Sequence, residues 1–124
     1  MKVLVLGAGN MGLTYAEGMA NSPFLNKRKL MIFDVSPQKT EALSTMAQFD
    51  AYDSIEECVP QADVIFIAVK PYHSQSLFDS IKPYINQDQL FVSLMAGVTI
   101  NTIQEGLGVK KVIRTMPNLP AKVG

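Results

Sequence analysis

The sequence predicts an α/β fold, a doubly wound, mostly parallel sheet with helices on both faces. Two observations predict it. Apolar runs of strand length alternate with longer stretches of helical period along all 124 residues, which is the pattern of successive βαβ units. The run Val64-Ile65-Phe66-Ile67-Ala68-Val69 is unbroken and rich in β-formers, as a central strand covered on both faces has to be. At this length one domain is expected, with a core that forms without disulfides or a structural metal.

Each element has its own signal. Val3 to Leu6 is a continuous apolar run and reads as a buried strand. Met11 to Met19 continues as a helix that ends near Asn21-Ser22-Pro23, where proline cannot carry it on. Leu30 to Phe33 is a second strand. Ser36 then supplies an N-cap and Pro37 the first helical position of a helix to about Met46. A short strand at Gln48 to Tyr52 leads into Asp53-Ser54, and Glu57, three residues after Ser54, predicts a capping box on a helix of about two turns that Pro60 ends. Val64 to Val69 is the fourth strand. Ser74 to Tyr84 carries Leu77, Phe78 and Ile81, followed by Ile85, at helical spacing. Leu90 to Leu94 is a fifth strand, Ile100 to Leu107 a helix, and Lys111 to Arg114 holds a sixth strand at Val112-Ile113.

Charge and cysteine content exclude several classes of function. Eleven Lys and Arg balance eleven Asp and Glu, so there is no single-sign field to draw in nucleic acid or an anionic membrane surface. Cys58 is the one cysteine; it forms no intrachain disulfide and by itself holds no metal, which suits a reducing cytoplasm. Gly7 interrupts the opening apolar run too early for a secretory signal, and no window approaches the roughly 20 apolar residues of a membrane span. A soluble, cytoplasmic protein is expected.

Gly7-Ala8-Gly9-Asn10-Met11-Gly12 fits G-x-G-x-x-G, and it stands directly after a predicted strand and opens a predicted helix. Gly7 permits the tight turn, Gly9 lets the backbone approach a pyrophosphate, and Gly12 allows close packing of helix on strand. The pyrophosphate would rest on free N–H groups at the positive end of the helix dipole. Asp34 closes the second strand at about the distance, roughly 20 residues, at which a carboxylate meets the adenosine ribose. A Rossmann-type dinucleotide site follows. The acid favours NAD(H), because a 2′-phosphate would meet a like charge and no Lys or Arg stands close in sequence until Lys39; NADP(H) stays possible.

Ligands on such sheets bind beyond the carboxyl ends of the strands. Ala68-Val69-Lys70-Pro71, Met95-Ala96-Gly97-Val98 and Thr115-Met116-Pro117-Asn118 follow strands four, five and six, and they are expected to line one crevice. Ala96 and Gly97 leave room for a flat ring, and Asn118 can hydrogen-bond an amide such as the nicotinamide carboxamide.

Four segments in this order carry a resemblance. They are the glycine loop, Ala68-Val69-Lys70-Pro71, Ser93-Leu94-Met95-Ala96-Gly97-Val98, and Arg114-Thr115-Met116-Pro117-Asn118-Leu119-Pro120. The chain resembles the N-terminal cofactor domain of pyrroline-5-carboxylate reductases along essentially its whole length. The resemblance implies NAD(P)H-dependent reduction of the cyclic imine 1-pyrroline-5-carboxylate to L-proline. It also matches Leu6 to Met11 and Ala68 to Pro71 to the family's nucleotide-binding segments. Ser54, or Asp53 beside it, falls near a position where the family often has an Asn on the adenosine side. Asp34 departs from the many members that carry Ser, Asn or Arg there and use NADPH. The family continues into a helical domain that forms the dimer and supplies most of the imino-acid pocket. Residues 1–124 end before it, so this stretch alone is expected to bind NADH weakly and turn over almost nothing, while the full-length protein is expected to be a homo-oligomer.

Catalytic residues are not evident. His73 reads as a solvated residue at a helix start, and Cys58 as a small buried one. Lys70 either caps a strand edge or reaches the cofactor ribose; Tyr72 either stacks, donates a hydrogen bond or packs on the following helix. Two other functions share the glycine loop, a hydroxyacid dehydrogenase of the 3-hydroxyisobutyrate type and a non-catalytic NAD-sensing module.

Overall fold

Side-chain alternation in the first strand decides which helices lie on which face. β1 (Val3–Leu6) sends Val3 and Val5 to one side of the sheet and Leu4 and Leu6 to the other, since successive strand side chains point to opposite faces. The computed structural model describes residues 2–7, 9–20 and 30–115. After β1 come α1 (Asn10–Ala20), β2 (Leu30–Phe33), α2 (Pro37–Ser44), β3 (Phe49–Tyr52), α3 (Ile55–Cys58) and β4 (Val64–Ile67). α4 (Ser74–Ile81), β5 (Leu90–Ser93), α5 (Ile100–Leu107) and β6 (Val112–Arg114) complete the described chain.

The six strands lie in the order β3-β2-β1-β4-β5-β6, and all five pairings are parallel. This is the doubly wound Rossmann order. Val3 and Val5, with Leu30, Ile32 and Phe49, are covered by Ala16 of α1 and Leu43 of α2. Leu4 and Leu6 share the opposite cluster with Ile65, Ile67 and Phe91, under Cys58 of α3, Phe78 and Ile81 of α4, and Ile103 and Leu107 of α5. The chain changes face while crossing from β3, at the sheet's edge, to β4 beside β1. Leu6 is therefore level with Phe33 on one side and Ile67 on the other, and the crevice of such a fold opens where these three strands end.

Local chemistry sets the ends of the elements. Ser36 caps α2, its Oγ accepting from the Lys39 N–H at 3.4 Å, with Pro37 at the first turn. Thr99 caps α5 by accepting from the Thr102 N–H at 3.1 Å, and Gly108 ends it in the left-handed conformation at φ 72°. Gln89 is buried before β5; its amide donates to the carbonyls of Val59 and Ala62 at 2.8 and 2.9 Å, and its Oε1 accepts from the Asn86 N–H at 2.9 Å. It ties the turn ahead of β4 to the turn ahead of β5.

Several expectations need correction. The capping box does not form, because Ser54 makes no side-chain capping bond. Its carbonyl accepts the Glu57 and Cys58 N–H groups instead, both at 3.3 Å, and the single α-turn tightens to a 3₁₀ turn at Val59–Gln61, where Pro60 blocks continuation. β4 stops at Ile67 rather than Val69, since β1 has already given way to the glycine turn at Gly7. β3 and β5 are each a residue or so shorter than expected, at Phe49–Tyr52 and Leu90–Ser93. α2 ends at Ser44 rather than near Met46, and α4 passes into a 3₁₀ turn at Lys82–Tyr84, where Pro83 has no N–H to donate. The break expected at Asn21-Ser22-Pro23 and the aperiodic stretch from Met116 to Gly124 lie outside the described residues.

Candidate functional site

Three glycines share one motif and meet three different surroundings. Gly7 sits at φ 105°, its N–H donates to the Phe33 carbonyl at 2.8 Å, and a Cβ there would lie 3.0 Å from the Ala68 carbonyl. Gly12, in the first turn of α1, has no room for a Cβ: it would run into the Gly7 carbonyl and come within 3.1 Å of the Ala68 side chain. A Cβ on Gly9 would meet nothing within 4 Å. The first and third glycines thus let strand, turn and helix close on β4. The middle one leaves backbone bare toward open space.

That open space is a cleft of about 700 Å³, within the usual range for small-molecule sites. Leu6, Gly7 and Gly9 form its floor at the end of β1, and Asp34 one side at the end of β2. Ala68, Val69, Lys70 and Pro71 face them from beyond β4, with Ala96 from beyond β5. Two of the three segments expected to converge do so. Of the third, Thr115 is described but does not line the cleft, and Met116, Pro117 and Asn118 lie outside the described residues.

The other expected positions divide. Asn10 and Met11 begin α1 as backbone, and Ala8 lies outside the described residues. Gly97 stands next to Ala96 at φ 74°, where an added Cβ would meet nothing within 4 Å, though it does not line the cleft. Ser54 is not brought to the cleft. Its neighbour Asp53 lines a smaller depression of about 430 Å³ on the α2 side, which shares Asp34 and Val35 with the main cleft.

Asp34 is half-buried. Its Oδ1 accepts the Ser36 N–H at 2.8 Å, and its carbonyl accepts from the Thr40 hydroxyl at 3.3 Å, so the loop fixes the carboxylate before any ligand arrives. Lys39 lines the same cleft. Sequence distance sets this cation apart from the acid, whereas the first turn of α2 returns it to the same cavity.

Met95 lines the cleft as expected, and Tyr72 and His73, weighed there from the sequence, line it too; Phe33, Val35, Leu77 and Leu94 also line it, although nothing in the sequence singles them out for it. Val35 and Leu94 stand just past a strand's carboxyl end, and Phe33 is the last residue of β2. Tyr72 is 76% exposed, which rules out packing on α4. His73 is exposed, and its ring meets that of Tyr72 edge to face at 4.3 Å and 67°. Cys58 is absent from the cleft; burial pushes its thiol up to about 11, so it stays protonated and unreactive near neutrality.

The sheet order, the turn after β1 and the acid after β2 are those of a Rossmann-type nucleotide-binding domain. Comparison with known proteins narrows the class. The chain belongs to the family described as NADP oxidoreductase, coenzyme F420-dependent, which matches residues 2–97. It is 39% identical to a pyrroline-5-carboxylate reductase of Staphylococcus haemolyticus, over 100% of this chain and 46% of that protein. With the pyrroline-5-carboxylate reductase of Escherichia coli it shares 37% identity over 98% of this chain and 46% of the relative. The crystal structure of Plasmodium falciparum pyrroline carboxylate reductase with NADP bound superimposes with a TM-score of 0.79 at 29% identity, covering 95% of this chain and 42% of that one. The chain spans less than half the length of these relatives.

Proposed function

We propose that this chain is the dinucleotide-binding part of a pyrroline-5-carboxylate reductase. The observation that carries the reading is the bare backbone at Gly9, open to a cleft walled by Asp34 and by Lys70-Pro71, in a chain with 39% identity to such a reductase across its full length. In this reading the N–H groups from Gly7 to Gly12 hold the pyrophosphate at the start of α1. Asp34 accepts from the adenosine ribose, and Ala96, with Gly97 beside it, makes room for the nicotinamide. Lys70 and Pro71 border the ribose and phosphate path, and Asn118 holds the carboxamide.

The bound coenzyme supplies a hydride to the imine carbon. This chain's residues bind and orient; the imino-acid pocket belongs to the remainder of a protein as long as the relatives. Asp34 supports a preference for NADH over NADPH, with Lys39 in the same cavity leaving the phosphorylated coenzyme a partner. The longer protein is expected to be a homo-oligomer working in the cytoplasm. The buried free thiol of Cys58 is consistent with a reducing compartment.

Calorimetric titration with NADH and NADPH tests the coenzyme reading, and an assay of the full-length protein tests the reaction. Imine reduction with NADH is expected; oxidation of a hydroxyacid without imine reduction would reject the assignment. Residues 1–124 alone are expected to bind coenzyme weakly and turn over almost no imine. Substantial turnover by them would show that the pocket needs nothing more.

A further inference from the structure

Buried polar side chains are few among the described residues, namely Gln89 at 2% exposure and Ser93 at 1%. Gln89 is accounted for by the two turns it ties together. Ser93 closes the otherwise apolar strand Leu90-Phe91-Val92, and a polar group so deep in a core is there for a reason.

Its surroundings supply one. Ser93 is level with Ile67 at the end of β4 and with Arg114 at the end of β6, so three strands stop together at this residue. Its carbonyl accepts the Thr115 N–H at 3.0 Å where β6 gives out, and the Ile67 carbonyl takes the Leu94 N–H at 2.9 Å. The Ser93 Oγ turns forward and accepts the Met95 N–H at 3.1 Å. Leu94 and Met95 are buried, whereas Ala96 and Gly97 beyond them are exposed. This loop is an exposed tip on a buried stem. A buried N–H past the end of the ladder needs an acceptor, and for Met95 the serine side chain brings it. An apolar residue at position 93 would bury as well and leave the stem without its tether.

We propose that Ser93 is a positioning residue for hydride transfer: by holding Met95 it sets how far Ala96 stands into the cleft, and so how the nicotinamide faces the imine. This rests on the reductase reading above, in which the nicotinamide lies against Ala96. Ser93 does not line the cleft, so it acts through Met95 and Ala96, which do. A ring held loosely still binds but reacts from fewer correct poses, which places the loss in kcat rather than in coenzyme affinity.

The test is made on the full-length protein. Ser93→Ala is expected to lower kcat for imine reduction about tenfold, with KM for NADH little changed and affinity for ADP-ribose, which lacks the nicotinamide, unaltered. With NADH carrying deuterium as the transferred hydrogen, the isotope effect on kcat should rise as hydride transfer becomes slower than product release. Ser93→Cys, of similar size with a weaker acceptor, is expected to fall between serine and alanine. Gln89→Leu, at the other buried polar position and away from the cleft, is the control and should lower the melting temperature while leaving kcat alone. Unaltered kcat and isotope effect in Ser93→Ala overturn the proposal, as does an equal loss of kcat in Gln89→Leu, because rate would then follow stability. If the unaltered full-length protein reduces no imine, the reductase reading itself fails; normal reduction that is indifferent to Ser93→Ala faults this inference alone.

Discussion

Gly9 and Gly12 are three residues apart, yet replacing them should have opposite consequences. Gly9→Ala places a methyl in open space, so the melting temperature should hold within about 1 kcal/mol of stability while NADH affinity falls, because the methyl occupies the pyrophosphate's approach. Gly12→Ala gains about 1 kcal/mol of helix propensity and drives a methyl into the Gly7 carbonyl. Overpacking of this kind against backbone costs roughly 3 kcal/mol or more, so the clash wins and urea denaturation should show net destabilisation. Asp34→Asn keeps the oxygen that accepts from Ser36 while removing the charge. Preference should move from NADH toward NADPH in fluorescence titrations, and Lys39→Gln in the same background should reverse much of that gain. Unchanged preference would show that the acid does not face the ribose. The glycine spacing is legible in sequence because steric demands of a strand-to-helix turn act over a few residues. Lys39 in the cleft is not, because its place depends on how α2 leaves the end of β2.

Elements meet through positions that their own periodicity does not single out. A Cβ on Gly106 of α5 would lie 2.6 Å from the ring of Phe78 on α4, and Phe78 is fully buried. Gly106→Ala should therefore destabilise by about 1–2 kcal/mol in denaturant melts despite its better helix propensity; stabilisation would mean that the ring moves freely. Gln89→Leu leaves the Ala62 carbonyl without the Gln89 amide and the Val59 carbonyl with the Ala62 N–H alone, at a cost of about 1–3 kcal/mol in denaturant melts. Apolar strands are readable from sequence because burial on both faces leaves no polar residue in the run. α3 is harder to read: Ser54 and Glu57 have the capping spacing, but the nearby proline shortens the helix until the N–H groups turn to the Ser54 carbonyl instead.

For the molecule as a whole, alkaline pH should weaken the fold. Burial lifts the Cys58 thiol from 9.0 to about 11, and burial, with Asp50 beside it, also lifts the Tyr52 hydroxyl above its ordinary value. The folded state then holds a proton that the unfolded chain gives up. Stability is full below about pH 9 and declines as pH rises toward 11, by at most about 3 kcal/mol for the thiol. Urea midpoints between pH 8 and 11 should fall less steeply in Cys58→Ala; an equal slope would place the thiol outside this linkage. At this scale the α/β class and the alternation of elements are legible, since each rests on local pattern. Which loops meet over the cleft is a property of strand order, and neither Val35 nor Tyr72 carries any mark of the other.

That strand order has a temporal consequence. β1 lies inside the sheet, and its second neighbour, β4, follows some sixty positions later in the chain. A nascent polypeptide with only three strands out has half a binding groove and an unprotected hydrogen-bonding border along β1. Coenzyme capture should accordingly track the last and slowest refolding phase in stopped-flow records, since long-range parallel pairing is slow. NADH fluorescence would then report when assembly is finished.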